Sequence, residues 1–109
     1  MHAAYWKYIA RRRILSEARG SFSLEGSNWF VRPTDGKFTE ADWKNDLKLL
    51  VEAHCGMRAA VAGMTDAQLK VTPKGSKVSN VALITGIASH DLYHAGQIQL
   101  LKRLRPGAQ

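Results

Sequence analysis

Two histidines four residues apart, His90 and His94, stand in the run His90-Asp91-Leu92-Tyr93-His94-Ala95-Gly96-Gln97 near the end of a 109-residue chain. On a helix, residues i and i+4 lie one above the other on the same face, so both imidazoles can reach one ion at roughly 2.0–2.1 Å. The spacing describes half of a metal site. The same residues approach the His-Glu-x-x-His pattern of zinc proteases, with Asp91 in place of the general-base glutamate. That reading fails on geometry. The shorter carboxylate sits about 100° round the helix from the histidines, and no third-ligand glutamate follows downstream.

A third ligand has to come from elsewhere. Cys55 is the only cysteine, which excludes an internal disulfide and a thiolate cage for zinc, and leaves His2 and His54 as the remaining imidazoles. His54 falls on an apolar stripe beside Cys55 and Met57, where a hydrogen-bonded core histidine is as reasonable as a ligand. Cys55 reads as a small buried apolar residue rather than a nucleophile. His2 opens the segment His2-Ala3-Ala4-Tyr5-Trp6-Lys7-Tyr8.

Helices must position these groups. Residues 2–18 carry His2, Trp6, Ile9 and Arg13 at helical spacing, with Gly20 as a stop signal. Residues 20–38 hold Gly20, Gly26, Pro33 and Gly36, yet also Phe22, Leu24, Trp29, Phe30 and Val31, which predicts a packed connection rather than a free linker. Thr39-Glu40-Ala41-Asp42 has the form of a capping box, and Trp43, Leu47, Leu50, His54, Met57, Val61 and Met64 follow at spacings of three and four, predicting a helix to about residue 63. Residues 65–77 read as a connection with one helical turn around Asp66 to Leu69. The last helix, about 78–104, places Leu83, Ile87, His90, His94, Gln97 and Leu101 on one stripe before Pro106-Gly107 ends it. No segment alternates as a strand would, and there is no internal repeat.

Three long amphipathic helices predict an all-α, up-down helix bundle in a single domain spanning residues 1–109, with sites built from inward-facing side chains. His90 and His94 share the stripe that has to be buried, where two unpaired imidazoles are costly and a shared metal satisfies both.

Composition narrows the function classes. Hydrophobic residues make up 45% of the chain, ordinary for a globular domain, and no run approaches the ~20 apolar residues of a membrane span. Without a signal-peptide layout the expectation is a cytoplasmic protein with no membrane partner. The formal charge of +7 is concentrated at the ends. Lys7, Arg11, Arg12, Arg13 and Arg19 face Glu17 alone, and Lys102, Arg103 and Arg105 face no acid, while the middle of the chain balances. These cations fall on the last turns of helices and complement the helix dipole. No basic-aromatic interleaving accompanies them, so a nucleic-acid partner is not expected.

The opening His2-Ala3-Ala4-Tyr5-Trp6-Lys7-Tyr8 with Arg11-Arg12-Arg13, together with the closing His90-Asp91-Leu92-Tyr93-His94-Ala95-Gly96-Gln97-Ile98, resembles the DinB/YfiT-like superfamily of four-helix-bundle metalloproteins. In that family one histidine from the second bundle helix and two from the fourth hold a divalent ion, zinc, nickel or iron, at an open site. The resemblance therefore implies His2, His90 and His94 as metal ligands, and metal-dependent transferase or hydrolase chemistry on a small-molecule substrate. Characterised relatives include S-transferases and a maleylpyruvate isomerase that use a low-molecular-weight thiol as cosubstrate. Gln97 lies one turn beyond His94 and would hydrogen-bond a ligand at the metal or orient an imidazole. Tyr93 and Asp91 point off the ligand face and would support or pack, and Tyr5 and Trp6 would pack against a neighbour or wall the pocket.

The family's first helix, some thirty or more residues long, has no counterpart before His2. The expectation is a shortened chain, or a homodimer in which a second copy covers the exposed apolar surface. The alternative function is a non-catalytic bundle with a structural or vestigial metal site, acting as a stress-related binding module.

Overall fold

The computed structural model describes residues 1–18, 20 and 22–107; among them the regular structure is helical, apart from an isolated bridge between Ser27 and Trp29. The helices are α1 (His2–Ile14), α2 (Glu40–Ala62), α3 (Asp66–Leu69) and α4 (Asn80–Leu104). Arg19, one of the amino-terminal cations, lies outside the described residues.

Local chemistry sets the helix ends. The Thr39 hydroxyl accepts from Asp42 N–H and the Asp42 carboxylate accepts from Thr39 N–H, so the expected capping box opens α2. Thr65 and Gln68 form a second box at α3, and Ser79 caps α4 through the Ala82 amide. α1 stops at Ile14, four residues before the expected end. Ser16 adopts φ 53°, which lets Ser16 N–H reach Arg13 O and Glu17 N–H reach Arg12 O in the pattern of a Schellman motif. A serine in the left-handed position gives no signal of the kind Gly20 offered.

α1 is the central helix. Tyr8 and Arg11 lie beside Leu49, Ala53 and Gly56, while Arg13, Ile14 and Leu15 lie beside Ala59, Ala60, Gly63 and Met64, so α1 and α2 run in the same direction. α4 runs opposite to α1, with His2 at His90 and Lys7 at Asp91. The parallel α1–α2 pair departs from a strictly up-down order. It is made possible by residues 15–39, which return along α1: Phe22 meets Tyr8 and Tyr5, Phe30 meets Tyr5, and Trp29 reaches His2. The connection packs, as its aromatic content predicts.

The core is narrow. Ala10, Met57 and Ile87, one from each long helix, form its centre, with Trp6 and Leu83 against it. Ala4 and Ala10 are wholly buried, and a Cβ on Gly56 would stand 3.3 Å from Arg11 Cδ, so small residues allow α1 to seat closely. Two expectations fail here. Burial on α2 centres on Met57, and Cys55, two residues before it, sits about 160° round the helix and is exposed, as is His54. On α4 the stripe is covered from Leu83 to His94, but Gln97 and Leu101 are exposed because α1 begins at His2, level with His94, and offers nothing opposite them. No helix among the described residues is long and apolar enough to cross a membrane.

Candidate metal centre

The antiparallel pairing of α1 and α4 brings residues 88 positions apart into contact. His2 Nε2 lies 3.0 Å from His90 Nε2, and His94 Nε2 lies 2.9 Å from the same atom. One ligand nitrogen from each of the three rings falls within 4.8 Å of the others. The expected ligand set is thus assembled; His54, the other candidate, lies outside it.

Proton bookkeeping shows what this cluster wants. Asn28 O, a carbonyl that can only accept, is 2.8 Å from His2 Nδ1, so the proton of the neutral His2 ring resides on Nδ1 and Nε2 presents a lone pair toward His90. His90 Nε2 thereby faces two nitrogens at hydrogen-bonding distance with one lone pair or one proton to offer. A proton satisfies one of these contacts well; a cation among the three satisfies all. Tetrahedral ligands at about 2.0–2.1 Å from zinc stand about 3.3 Å from each other, so small side-chain rotations convert this cluster into a coordination triangle. The His90 pKa lies below the ordinary histidine value, first because burial penalises the charged ring and then because His94 and His2 add positive charge beside it. A neutral ring is the form a metal needs.

The surrounding residues hold the triad in place. Asn28 occupies φ 63° in a tight turn closed by Trp29 N–H to Ser27 O at 2.7 Å, a conformation that asparagine tolerates better than most residues. Its carbonyl serves His2, and its Oδ1 accepts from Trp6 Nε1 at 2.8 Å. Trp29 stacks on His2 with ring centroids 4.1 Å apart and planes within 9°. Lys7, only 3% exposed, donates to Asp91 on the residue next to His90 and pins the register of α1 on α4.

The supporting residues expected from sequence divide. Trp6 takes part through Asn28 and meets His2 edge-on at 6.4 Å, and Tyr93, itself 63% exposed, meets the His94 ring at 5.4 Å. Asp91 acts through Lys7. Tyr5 packs with Phe22 and Phe30, away from the triad. Gln97 is exposed and makes no side-chain hydrogen bond among the described residues, so it orients no imidazole. Arg11, Arg12 and Arg13 lie in the last turn of α1, about 14–16 Å along the helix from His2.

Three participants escaped the sequence reading: Asn28, Trp29 and Lys7. Gly26-Ser27-Asn28 marks a turn by composition, and a lysine on a buried helix face asks for a partner, but neither pattern names the atom it serves. All three histidines are half-buried, so the cluster is supported by protein and still reached by solvent. Comparison of the chain with protein-family models, with curated proteins and with solved structures finds no match.

Proposed function

We propose that this chain binds a divalent ion, zinc, nickel or iron, at His2, His90 and His94, and uses it for transfer or hydrolysis on a small molecule, with a low-molecular-weight thiol as cosubstrate. The observation that carries the metal reading is the convergence of three Nε2 atoms, one of them on a ring whose proton is assigned to the far nitrogen by the Asn28 carbonyl. The reaction class is supported by the resemblance of the His2-Ala3-Ala4-Tyr5-Trp6 and His-x3-His-x-Gly-Gln motifs to DinB/YfiT-like bundles, to which we assign the fold.

Three protein ligands leave a tetrahedral ion one position short, the arrangement of catalytic rather than structural zinc. When bound, such an ion supplies a Lewis acid that makes a thiol or water more acidic. The protein's own part is positional. Asn28 holds the His2 tautomer, Trp29 fixes its ring plane, and the Lys7–Asp91 pair keeps α1 in register so that the triad closes. Gln97, exposed one turn past His94, would meet a substrate arriving from the solvent side.

The test is metal content per chain by plasma mass spectrometry on untagged protein, for the parent and for His90→Ala and His94→Ala. Near one equivalent in the parent and its loss in both variants is expected. A parent that takes up no metal after reconstitution refutes the reading. Substitution by cobalt then separates catalysis from stapling: a spectrum that shifts on adding a thiol reports an open position, and an unresponsive four-ligand spectrum reports a structural site.

A further inference from the structure

The end of α1 remote from the histidines holds a second concave site. Two adjoining hollows open there, of about 370 and 410 Å³, and Arg13, Ser16 and Pro73 line both. Each has the size of a small-molecule site. The first is walled by Ile14, Ala59, Ala60, Met64 and Val71, apolar groups from the ends of α1 and α2 and from the connection before α4. The second is lined by Arg12, Arg13 and Lys74, with Glu17 as its one acid. Together they make a cleft with an apolar end and a cationic end that meet at Arg13.

The end of the helix does not use up this positive charge. Ser16 N–H and Glu17 N–H already satisfy the Arg13 and Arg12 carbonyls, at 3.2 and 3.0 Å, so the arginines are not needed as caps. The Glu17 carboxylate is taken by Arg11 at 3.3 Å. Arg12, Arg13 and Lys74 make no ion pair among the described residues. A turn carries Lys74 to the cleft: Ser76 N–H donates to Pro73 O at 2.9 Å, and Gly75 takes φ 80°, the conformation a type II turn requires at its third position, which leaves Lys74 at the corner. Like charges around one hollow repel each other until an anion stands between them.

At the apolar end stands Asn80, only 4% exposed. Its backbone N–H donates to Val71 O at 2.8 Å and its Nδ2 to Gln68 O at 2.9 Å, so both nitrogens are engaged. Its Oδ1 is the one buried side-chain polar atom among the described residues with no hydrogen-bond partner. An unmet acceptor in the wall of a cleft calls for a donor.

We propose that this cleft binds a small organic anion. A carboxylate or phosphate lies against Arg12, Arg13 and Lys74, an apolar body fills the hollow between α1 and α2, and an N–H or O–H at the far end of the molecule donates to Asn80 Oδ1. Neither anchor alone defines the ligand; the combination of charge, apolar body and donor does. The cleft lies at the opposite end of α1 from His2 and stands independently of any metal at the triad.

Nuclear magnetic resonance titration of the whole chain tests the proposal, with indoleacetate, indolepropionate and indolebutyrate as probes. These combine an N–H donor, an apolar ring and a carboxylate at increasing span. At least one should shift the amide signals of Gly63, Met64, Val71 and Gly75 saturably, with a Kd below about 1 mM. Arg13→Gln or Arg12→Gln, each checked for retained helicity by circular dichroism, should weaken that probe about tenfold. The benzothiophene analogue of the same probe, alike in shape but without the N–H, should bind about fivefold more weakly to the parent protein. No saturable shift at these amides with any of the three probes up to about 10 mM overturns the proposal. So does an affinity that both arginine substitutions leave unchanged, and so does a benzothiophene analogue that binds as tightly as its indole counterpart.

Discussion

Replacing Asp91 by asparagine should destabilise the protein strongly, while removing its partner should not. Lys7 is 3% exposed, whereas the Asp91 side chain is 40% exposed, so the two ends of the ion pair stand in different media. Asp91→Asn leaves a buried ammonium facing an amide oxygen. It keeps a hydrogen-bond acceptor but loses the countercharge. Breaking a fully buried pair from one side costs about 3–5 kcal/mol and an exposed pair under about 1 kcal/mol. With one member buried and the other partly in water, a loss of about 2–3 kcal/mol is expected, corresponding to a fall in Tm of the order of 10 °C in a domain of this size. Lys7→Met leaves only a carboxylate that water can solvate, and should cost about 1 kcal/mol or less. The double variant Lys7→Met/Asp91→Asn should be more stable than Asp91→Asn alone, because the buried charge has gone. Urea unfolding followed by circular dichroism measures all four proteins. An Asp91→Asn protein within about 0.5 kcal/mol of the parent, or a Lys7→Met protein less stable than Asp91→Asn, would refute the argument from asymmetric burial.

Trp29→Ala removes the ring stacked on His2 but, with Trp29 69% exposed, little of the core; about a tenfold loss of metal affinity with unfolding nearly unchanged is expected from calorimetric titration and melting. The carboxyl of Asp42 is held below its ordinary value by the Thr39 backbone N–H, then by the Thr39 hydroxyl. A depressed folded-state pKa stabilises fully above 3.8 and is lost as the pH falls through the folded value, so amide exchange at residues 40–43 should accelerate selectively below that point. Thr39→Ala should cost about 1 kcal/mol and raise the same exchange rates at neutral pH. Met57→Ala, at the meeting of the three long helices, should cost about 2–4 kcal/mol in urea unfolding.

What depends on near neighbours along the chain was legible in the residues. The Thr39–Asp42 box satisfies amides within three positions, so α2 begins where its sequence announces it, and α3 and α4 begin within two residues of their expected starts. The His90–His94 pair is likewise a local fact of helix geometry. The third ligand needed more, since nothing in the chemistry of His2 distinguished it from His54 until the resemblance of its segment to a metalloprotein family was considered.

Tertiary structure decided which faces meet. Periodicity marks an apolar stripe but does not say how many neighbours will cover it. Cys55 and His54 therefore read as interior residues and stand exposed, and Gln97 passes beyond the start of α1 into solvent. The hydrogen bonds that make a site of three histidines span 26 positions from His2 to Asn28 and 88 from His2 to His90. Their formation depends on a connection that returns along α1 and on the register set by Lys7 and Asp91. Side-chain type and helical spacing determine which groups can bind a metal; the direction of packed helices determines which of them share one point in space, because that is settled by burial and ion pairing between segments with no covalent memory of each other.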